Sequence, residues 1–342
     1  MALATREIGT TGLSVPILGL GGAPLGDLYA RIPEATALAT IERAYELGVR
    51  IFDTAPLYGH GLSEHRFGHV LRQKPRDSYV LSTKVGRYLV PAPPEQIDRG
   101  QWQGGLNMQL VYDYSYDGTM RELEQSHQRL AVERFDIVLI HDVDIWTHGS
   151  REAFEERYRQ CVEGAFRALA DLRAQGVIKA IGMGVNEIEP CFRLATDADP
   201  DVFLLAGRYT LLEQNGLDDL IPLARRKRFS FLLGGPYNSG ILATGPVPGA
   251  KYNYKDAPPE IMERVRRIEA ICRAHDVPLA AAAIQFPLGL PEVASIVPGA
   301  VKPEEVERNV ALITTPIPDA LWSDLKAQGL LHPDCPLPPK AG

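Results

Sequence analysis

Short apolar runs alternate along the chain with stretches whose apolar residues recur every three or four positions. The runs fall at residues 17–20, 49–52, 78–83, 135–140, 177–184, 202–206, 229–233 and 292–296. Each is too short for a helix and mostly apolar, as expected of parallel strands buried on both faces. The intervening stretches read as helices. Leu38, Ile41 and Tyr45 mark one apolar face over residues 34–47; Val162, Phe166, Leu169 and Leu172 mark another; Ile261, Val265, Ile268 and Cys272 mark a third. Further helices are expected over residues 63–71, with Ser63 as its cap, and over 119–130, 187–195, 217–226 and 303–312. Eight strands alternating with helices predict an α/β fold, a single (β/α)8 or TIM-type barrel spanning residues 1–342. Residues 5–15 add an N-terminal β-hairpin around Gly9-Thr10-Thr11-Gly12. Residues 86–116 form a long connection, and residues 328–342 a proline-rich irregular tail.

Charge and cysteine usage narrow the classes. The chain has 342 residues, 36 Lys and Arg against 43 Asp and Glu, and a net charge of −7. That balance argues against a nucleic-acid partner, which needs a basic face. The one dense basic run, Arg225-Arg226-Lys227-Arg228, suits the solvated end of a helix. Four cysteines, Cys161, Cys191, Cys272 and Cys335, are widely spaced without a C-x-x-C, as in a reduced cytoplasmic protein. The N-terminus has no signal-peptide pattern, and the most apolar stretch, 279–290, is short and interrupted by Gln285 and Pro287, so no membrane span is expected. Oligomeric state is not legible, because no exposed apolar helix face decides it.

The candidate chemistry lies where strands end. The second run delivers Asp53, and a turn through Pro56 presents Tyr58; the third ends on Lys84 and the fourth on His141. Parallel barrels assemble active sites from residues at the C-terminal ends of different strands. Taken singly, each of the four is an ordinary turn, packing or surface residue; an ordered set of acid, phenol, ammonium and imidazole is not. Gly19-Leu20-Gly21-Gly22 contains G-x-G, but Ala23-Pro24 follows where a Rossmann helix would open. His65 and His69 have a metal-like i, i+4 spacing with no third ligand, so no metal is expected.

These residues carry a resemblance. The Asp53…Tyr58 segment with Gly61-Leu62-Ser63-Glu64, Thr83-Lys84, Leu139-Ile140-His141, Gly182-Met183-Gly184-Val185-Asn186 and Val297-Pro298-Gly299-Ala300 resemble, in order, the marks of the aldo-keto reductases. The matches run from about residue 5 to about residue 315. The resemblance implies Tyr58 as general acid-base, Lys84 as the cation that lowers its pKa, Asp53 as the partner of Lys84, and His141 as the group that orients the substrate oxygen. It implies that the hairpin plugs the barrel floor, and that the long loop and the tail drape over the mouth.

It also implies a nicotinamide cofactor held by Gly22, Asp53, Asn186, Gly235, Pro236, Ser239, Gly299, Glu305 and Asn309. Ala206 stands where many relatives have a glutamine, and Leu233 where many have an aromatic that stacks on the nicotinamide. Glu305 stands where NADP-preferring members place an arginine, which favours NAD; NADP, aided by Lys302, is the alternative. For the substrate, Trp102, Tyr114, Asp142 and Asp144 combine aromatic faces with carboxylate acceptors, a pattern suited to a polyhydroxylated ring. Within the family this resembles the branch that oxidises aldopyranoses of the L-fucose type at C1. The alternatives are oxidation of pyridoxal, NADPH-dependent aldehyde reduction, and a non-catalytic cofactor-sensing subunit.

Overall fold

The computed structural model describes residues 3–338. β1 (Thr5–Glu7) and β2 (Ser14–Pro16) form an antiparallel hairpin. Eight parallel strands then build the barrel: β3 (Leu20–Gly21), β4 (Ile51–Asp53), β5 (Val80–Val85), then, after an excursion through β6 (Arg87–Pro91) and β7 (Met108–Tyr112), β8 (Ile137–His141), β9 (Ala180–Val185), β10 (Val202–Ala206), β11 (Ser230–Gly234) and, after a short hairpin of β12 (Lys251–Tyr252) and β13 (Lys255–Asp256), β14 (Val293–Val297). The sheet closes through single bridges from Leu18 to Ile296 and from Gly21 to Gly299. At that junction Gly19 donates to Ile296, Gly21 to Pro298, and Ile296 to Ile17, at 2.8–2.9 Å.

Helices cover the outside. They are α1 (Glu34–Glu46), α2 (Leu62–Leu71), α3 (Tyr116–Leu130), the short α4 (Ile145–His148), α5 (Arg151–Gln160) continuing through a π-helical stretch, Cys161–Phe166, into α6 (Arg167–Ala174), then α7 (Ile188–Asp197), α8 (Leu220–Lys227), α9 (Ile241–Thr244), α10 (Pro259–Ala274), α11 (Leu279–Gln285), α12 (Pro303–Ile313) and α13 (Asp319–Ala327). None among the described residues is long and apolar enough to cross a membrane.

Strand alternation divides the apolar residues into two layers. Inward-facing Ile51, Val80, Ile137, Ala180, Val202 and Ala294 pack with Ile8, Leu13 and Val15 of the hairpin, which seals the barrel at the N-terminal ends of its strands. Arg6 fixes the plug by donating to the carbonyls of Leu288, Leu290 and Val293 at 2.7–2.8 Å. Outward-facing Phe52, Leu81, Val138, Phe203 and Phe231 meet the helices.

Several expectations change. The long connection is an ordered antiparallel ribbon, β6 with β7, paired from Arg87–Tyr112 to Pro91–Met108. Its free edge is continued by α3, whose Gln125 side chain exchanges hydrogen bonds with both backbone groups of Leu89. Ser63 does not cap α2; Gly61 holds that position, and the Ser63 hydroxyl donates inward to the Gly22 carbonyl at 2.9 Å. α11 was not expected because it is buried on every side from Leu279 to Ile284, leaving no amphipathic period to read. The tail is irregular as far as it is described, and it packs against Gly289 and Gln214.

Candidate active site

Four strand ends converge at one mouth. Parallel pairing sets Asp53 beside Ser82, Lys84 beside Leu139, and His141 beside Gly184. Lys84 is 1% exposed. Its ammonium donates to Asp53 Oδ2 at 2.6 Å and to the Thr54 carbonyl at 2.9 Å, while Ser82 Oγ donates to Asp53 Oδ1 at 2.8 Å. Gly184 makes room for this stem, since a Cβ there would lie 3.2 Å from Lys84 Cε. Tyr58 sits in the turn after β4, with Lys84 Nζ 4.7 Å from its ring centroid. His141 meets the Tyr58 ring edge-on at 5.7 Å, and Trp102 packs on it at 5.7 Å. Thus Asp53, Tyr58, Lys84 and His141 come together as the sequence implied.

Their electrostatics differ from expectation in one respect. Burial, then Asp53 and Asp142, push the Tyr58 phenol well above its ordinary range, and Arg87 opposes the shift. The Lys84 ammonium, expected to act on this phenol, is hydrogen-bonded to Asp53 and Thr54. Burial, then Arg87 and Lys84, hold His141 well below its ordinary value. At neutral pH the site therefore presents a neutral phenol and a neutral imidazole between two ion pairs, Lys84–Asp53 and Arg87–Asp142, each at 2.6 Å.

A cavity of about 580 Å³ opens onto these groups. Trp102, Tyr112, Trp146 and Tyr254 supply aromatic wall, and Gln101, Thr147 and Asn186 supply polar groups. Of the four expected substrate residues, Trp102 and Asp142 line it; Tyr114 and Asp144 do not. Tyr114 is fully buried, and its hydroxyl donates to the His141 carbonyl at 2.9 Å. The π-helical stretch holds Tyr114 in place: Ala165 donates to the Tyr114 carbonyl, and Gly164 packs against it where a Cβ would come within 2.5 Å. Asp144 is also fully buried; it caps α4 through the Thr147 N–H and accepts from the Asn186 N–H. Asp142 faces the cavity, but its carboxylate is bound by Arg87.

A second cavity, about 310 Å³, shares Ala23, Leu28, Tyr58, Leu204, Ala206 and Tyr254 with the first. Gly22, Asp53, Gly235, Pro236, Ser239 and Gly299 line it, as expected of cofactor contacts; Asn186 lines the first cavity instead. Leu233 is corrected. Its side chain faces the helical layer, and the cavity-wall position is Gly234, which pairs with Ala206 on β10. Ser239 Oγ accepts from the Tyr254 N–H at 3.0 Å, tying the β12–β13 turn over the cavity. Glu305 and Asn309 lie on α12, just beyond Gly299. Glu305 accepts from the Val301 N–H at 2.9 Å, and Asn309 Oδ1 accepts from the Tyr237 hydroxyl at 2.7 Å. A groove walled by glycine backbone and ending at Tyr58 fits a dinucleotide whose reactive ring must reach the acid-base group. His65 and His69 are both exposed on α2.

Arg87, Trp146 and Tyr254 were not singled out from sequence. Each is placed by an element whose path periodicity does not reveal: the ribbon, the four-residue α4, and the β12–β13 turn, where Asn253 and Tyr254 both have positive φ.

Comparison with known proteins agrees with this geometry. The model of the Aldo/keto reductase family matches residues 17–328. The chain is 44% identical over 336 residues to a pyridoxal 4-dehydrogenase of Microbacterium luteolum, covering 95% of this chain and 97% of the relative. It is 37% identical over 325 residues to a D-threo-aldose 1-dehydrogenase of a Pseudomonas species, covering 94% and 96%. Among solved structures, a holo aldo-keto reductase of Bacillus halodurans superposes with a TM-score of 0.73 at 24% identity, covering 96% of this chain and 97% of that one. The barrel, the converging strand ends and the family match together place the chain in the aldo/keto reductase family.

Proposed function

We propose that this oxidoreductase oxidises the cyclic hemiacetal of pyridoxal at its C–OH carbon, giving a lactone, with NAD as its acceptor. The observation that carries the choice is the state of the acids. The sugar reading needs carboxylates free to accept from ring hydroxyls, but Asp142 is bound by Arg87 and Asp144 caps α4. What remains around the reacting groups is flat aromatic wall, Trp102, Tyr112, Trp146 and Tyr254, with a few neutral polar groups. A planar heteroaromatic ring packs on such walls. The relative at 44% identity bears the same reading in its name.

A nicotinamide cofactor held along Gly22, Gly235, Pro236, Ser239 and Gly299 would supply the hydride acceptor. Tyr58, in its phenolate form, takes the proton of the hemiacetal hydroxyl, and neutral His141 orients that oxygen through its imidazole. Lys84 and Asp53 fix the floor beneath Tyr58. An aldopyranose offers the same hemiacetal C–OH to the same groups, and the 37% relative favours it as the second reading.

The test is NADH formation with pyridoxal, L-fucose, D-arabinose and L-galactose. Pyridoxal is expected to exceed every sugar in kcat/KM by at least about tenfold, the scale of one differential contact. Turnover of a sugar with none of pyridoxal overturns the reading.

A further inference from the structure

We propose that Arg87 is a positioning residue for the reaction: by gripping Asp142 it keeps the Nε2 of His141 open to the substrate oxygen. The inference rests on Tyr58 and His141 as the reacting groups, and goes beyond them to what keeps His141 usable.

Two nitrogens face one oxygen. Arg87 Nη2 lies 2.6 Å from Asp142 Oδ2, and His141 Nε2 lies 3.6 Å from the same atom. The guanidinium cannot give up its charge, whereas the imidazole ordinarily titrates near neutrality, so Arg87 holds the carboxylate and His141 stays uncharged beside it. Were Arg87 absent, the carboxylate would face His141 with no nearer cation. A His–Asp pair would form, and Nε2 would be locked onto Asp142 instead of the substrate.

The surrounding chain is built to seat this arginine. Gly86 turns the chain out of β5 at φ 118, with the Tyr114 ring so near that a Cβ would come 2.4 Å from it. Glu122 of α3 accepts from the Gly86 and Arg87 N–H groups and fixes the entry to β6. The guanidinium carbon then lies 4.9 Å from the Tyr112 ring centroid. Arg87 is only 3% exposed, and its Nε and Nη1 groups find no acceptor among the described residues. A buried cation with two idle donors is a poor stabiliser, so scaffolding alone does not account for it. The other titratable or charged groups facing His141 and Tyr58 are Asp53 and Lys84 from β4 and β5, Tyr112 and Tyr114 from the end of the ribbon, Asp144 and His148 at α4, and Tyr254 from the β12–β13 turn. Besides Arg87, the cation that acts on His141 among the described residues is Lys84, which is already committed to Asp53.

The test reads His141 directly and without substrate. In the full chain labelled at histidine Cε1, with His141 assigned by H141Q, the wild-type resonance is expected not to titrate between about pH 5.5 and 8.5, around the ordinary histidine value. In R87M it is expected to titrate within that window, with kcat lower by about 10²-fold, the lower end of what acid-base groups contribute. R87M/D142N, which removes the freed carboxylate, is expected to recover at least about tenfold of that loss. R87K, with a shorter cation, is expected to fall between wild type and R87M in both readouts. A folded R87M whose His141 stays silent, or a double variant no faster than R87M, overturns the proposal. If R87M does not fold, a silent His141 in R87K overturns it equally. A preference for sugars over pyridoxal would leave this titration unchanged, so failure of the substrate reading is told apart from failure of this one.

Discussion

A phenol that holds its proton more tightly than it would in water is a weaker acid, and its phenolate is a stronger base but a scarcer one. Tyr58 is such a phenol, pushed upward by burial and by Asp53 and Asp142. Oxidation of an alcohol needs the deprotonated form, and a raised pKa makes that form scarce at neutral pH. The oxidative kcat/KM is therefore expected to climb with pH from 7 to beyond 10, approaching tenfold per unit where the phenolate is scarce. A flat profile from pH 6 to 10 would separate Tyr58 ionisation from the rate. Y58F is expected to lose about 10²–10⁴ in kcat while binding cofactor nearly as before; isothermal titration with NAD checks the second half. Glu305 makes a different test. E305R trades a carboxylate at the first turn of α12 for a cation suited to a 2′-phosphate, and the NADP to NAD ratio of kcat/KM is expected to rise. An unchanged ratio would make Glu305 a helix-start residue and nothing more. At this scale the sequence was legible wherever a residue ends a strand, as Asp53 and His141 do. It misled at Tyr114 and Asp144, whose polar atoms are taken up by backbone partners that no spacing rule exposes.

Between β5 and α3 the chain makes its main departure from plain barrel alternation, and the cost of that excursion falls on Glu122. This carboxyl is buried against the root of the ribbon, and burial raises its pKa to about 8 from 4.5. A raised folded-state pKa means the native protein binds that proton more tightly than the unfolded chain does. The contribution is fully present below about pH 4.5 and is lost as pH rises through 8. At about 1.4 kcal/mol per unit the loss is on the order of a few kcal/mol. E122Q, which cannot ionise, is expected to flatten the fall in melting temperature between pH 5 and 9; a fall as steep as in the wild type would refute this role. The ribbon escaped sequence reading because β6 and β7 pair across a proline- and glycine-rich insert rather than through a two-residue turn. The barrel strands were legible for the opposite reason: buried on both faces, they write continuous apolar runs.

Taken as a whole, the molecule is a ring of strands that is not equally strong around its circumference. β10 and β11 pair over five residue positions, whereas β3 and β14 meet only through bridges at Leu18 and Gly21. The second cavity straddles that junction, taking Gly21 and Gly22 from one side and Val297 and Gly299 from the other. An occupant there is a stitch across a seam. It would tie together two strand ends that the backbone joins sparsely, and at a hundred times its Kd it would add about 2.7 kcal/mol to stability. Amide hydrogen exchange would reveal this, since the N–H groups of Gly19, Gly21 and Ile296 carry the seam. On adding NAD their exchange is expected to slow more than that of the β10–β11 ladder. Equal slowing everywhere would mean that the ring is uniform and the dinucleotide merely sits in it. If the seam is the weak joint, the cofactor is also a structural member, and the chain without it is a barrel with one stave loose.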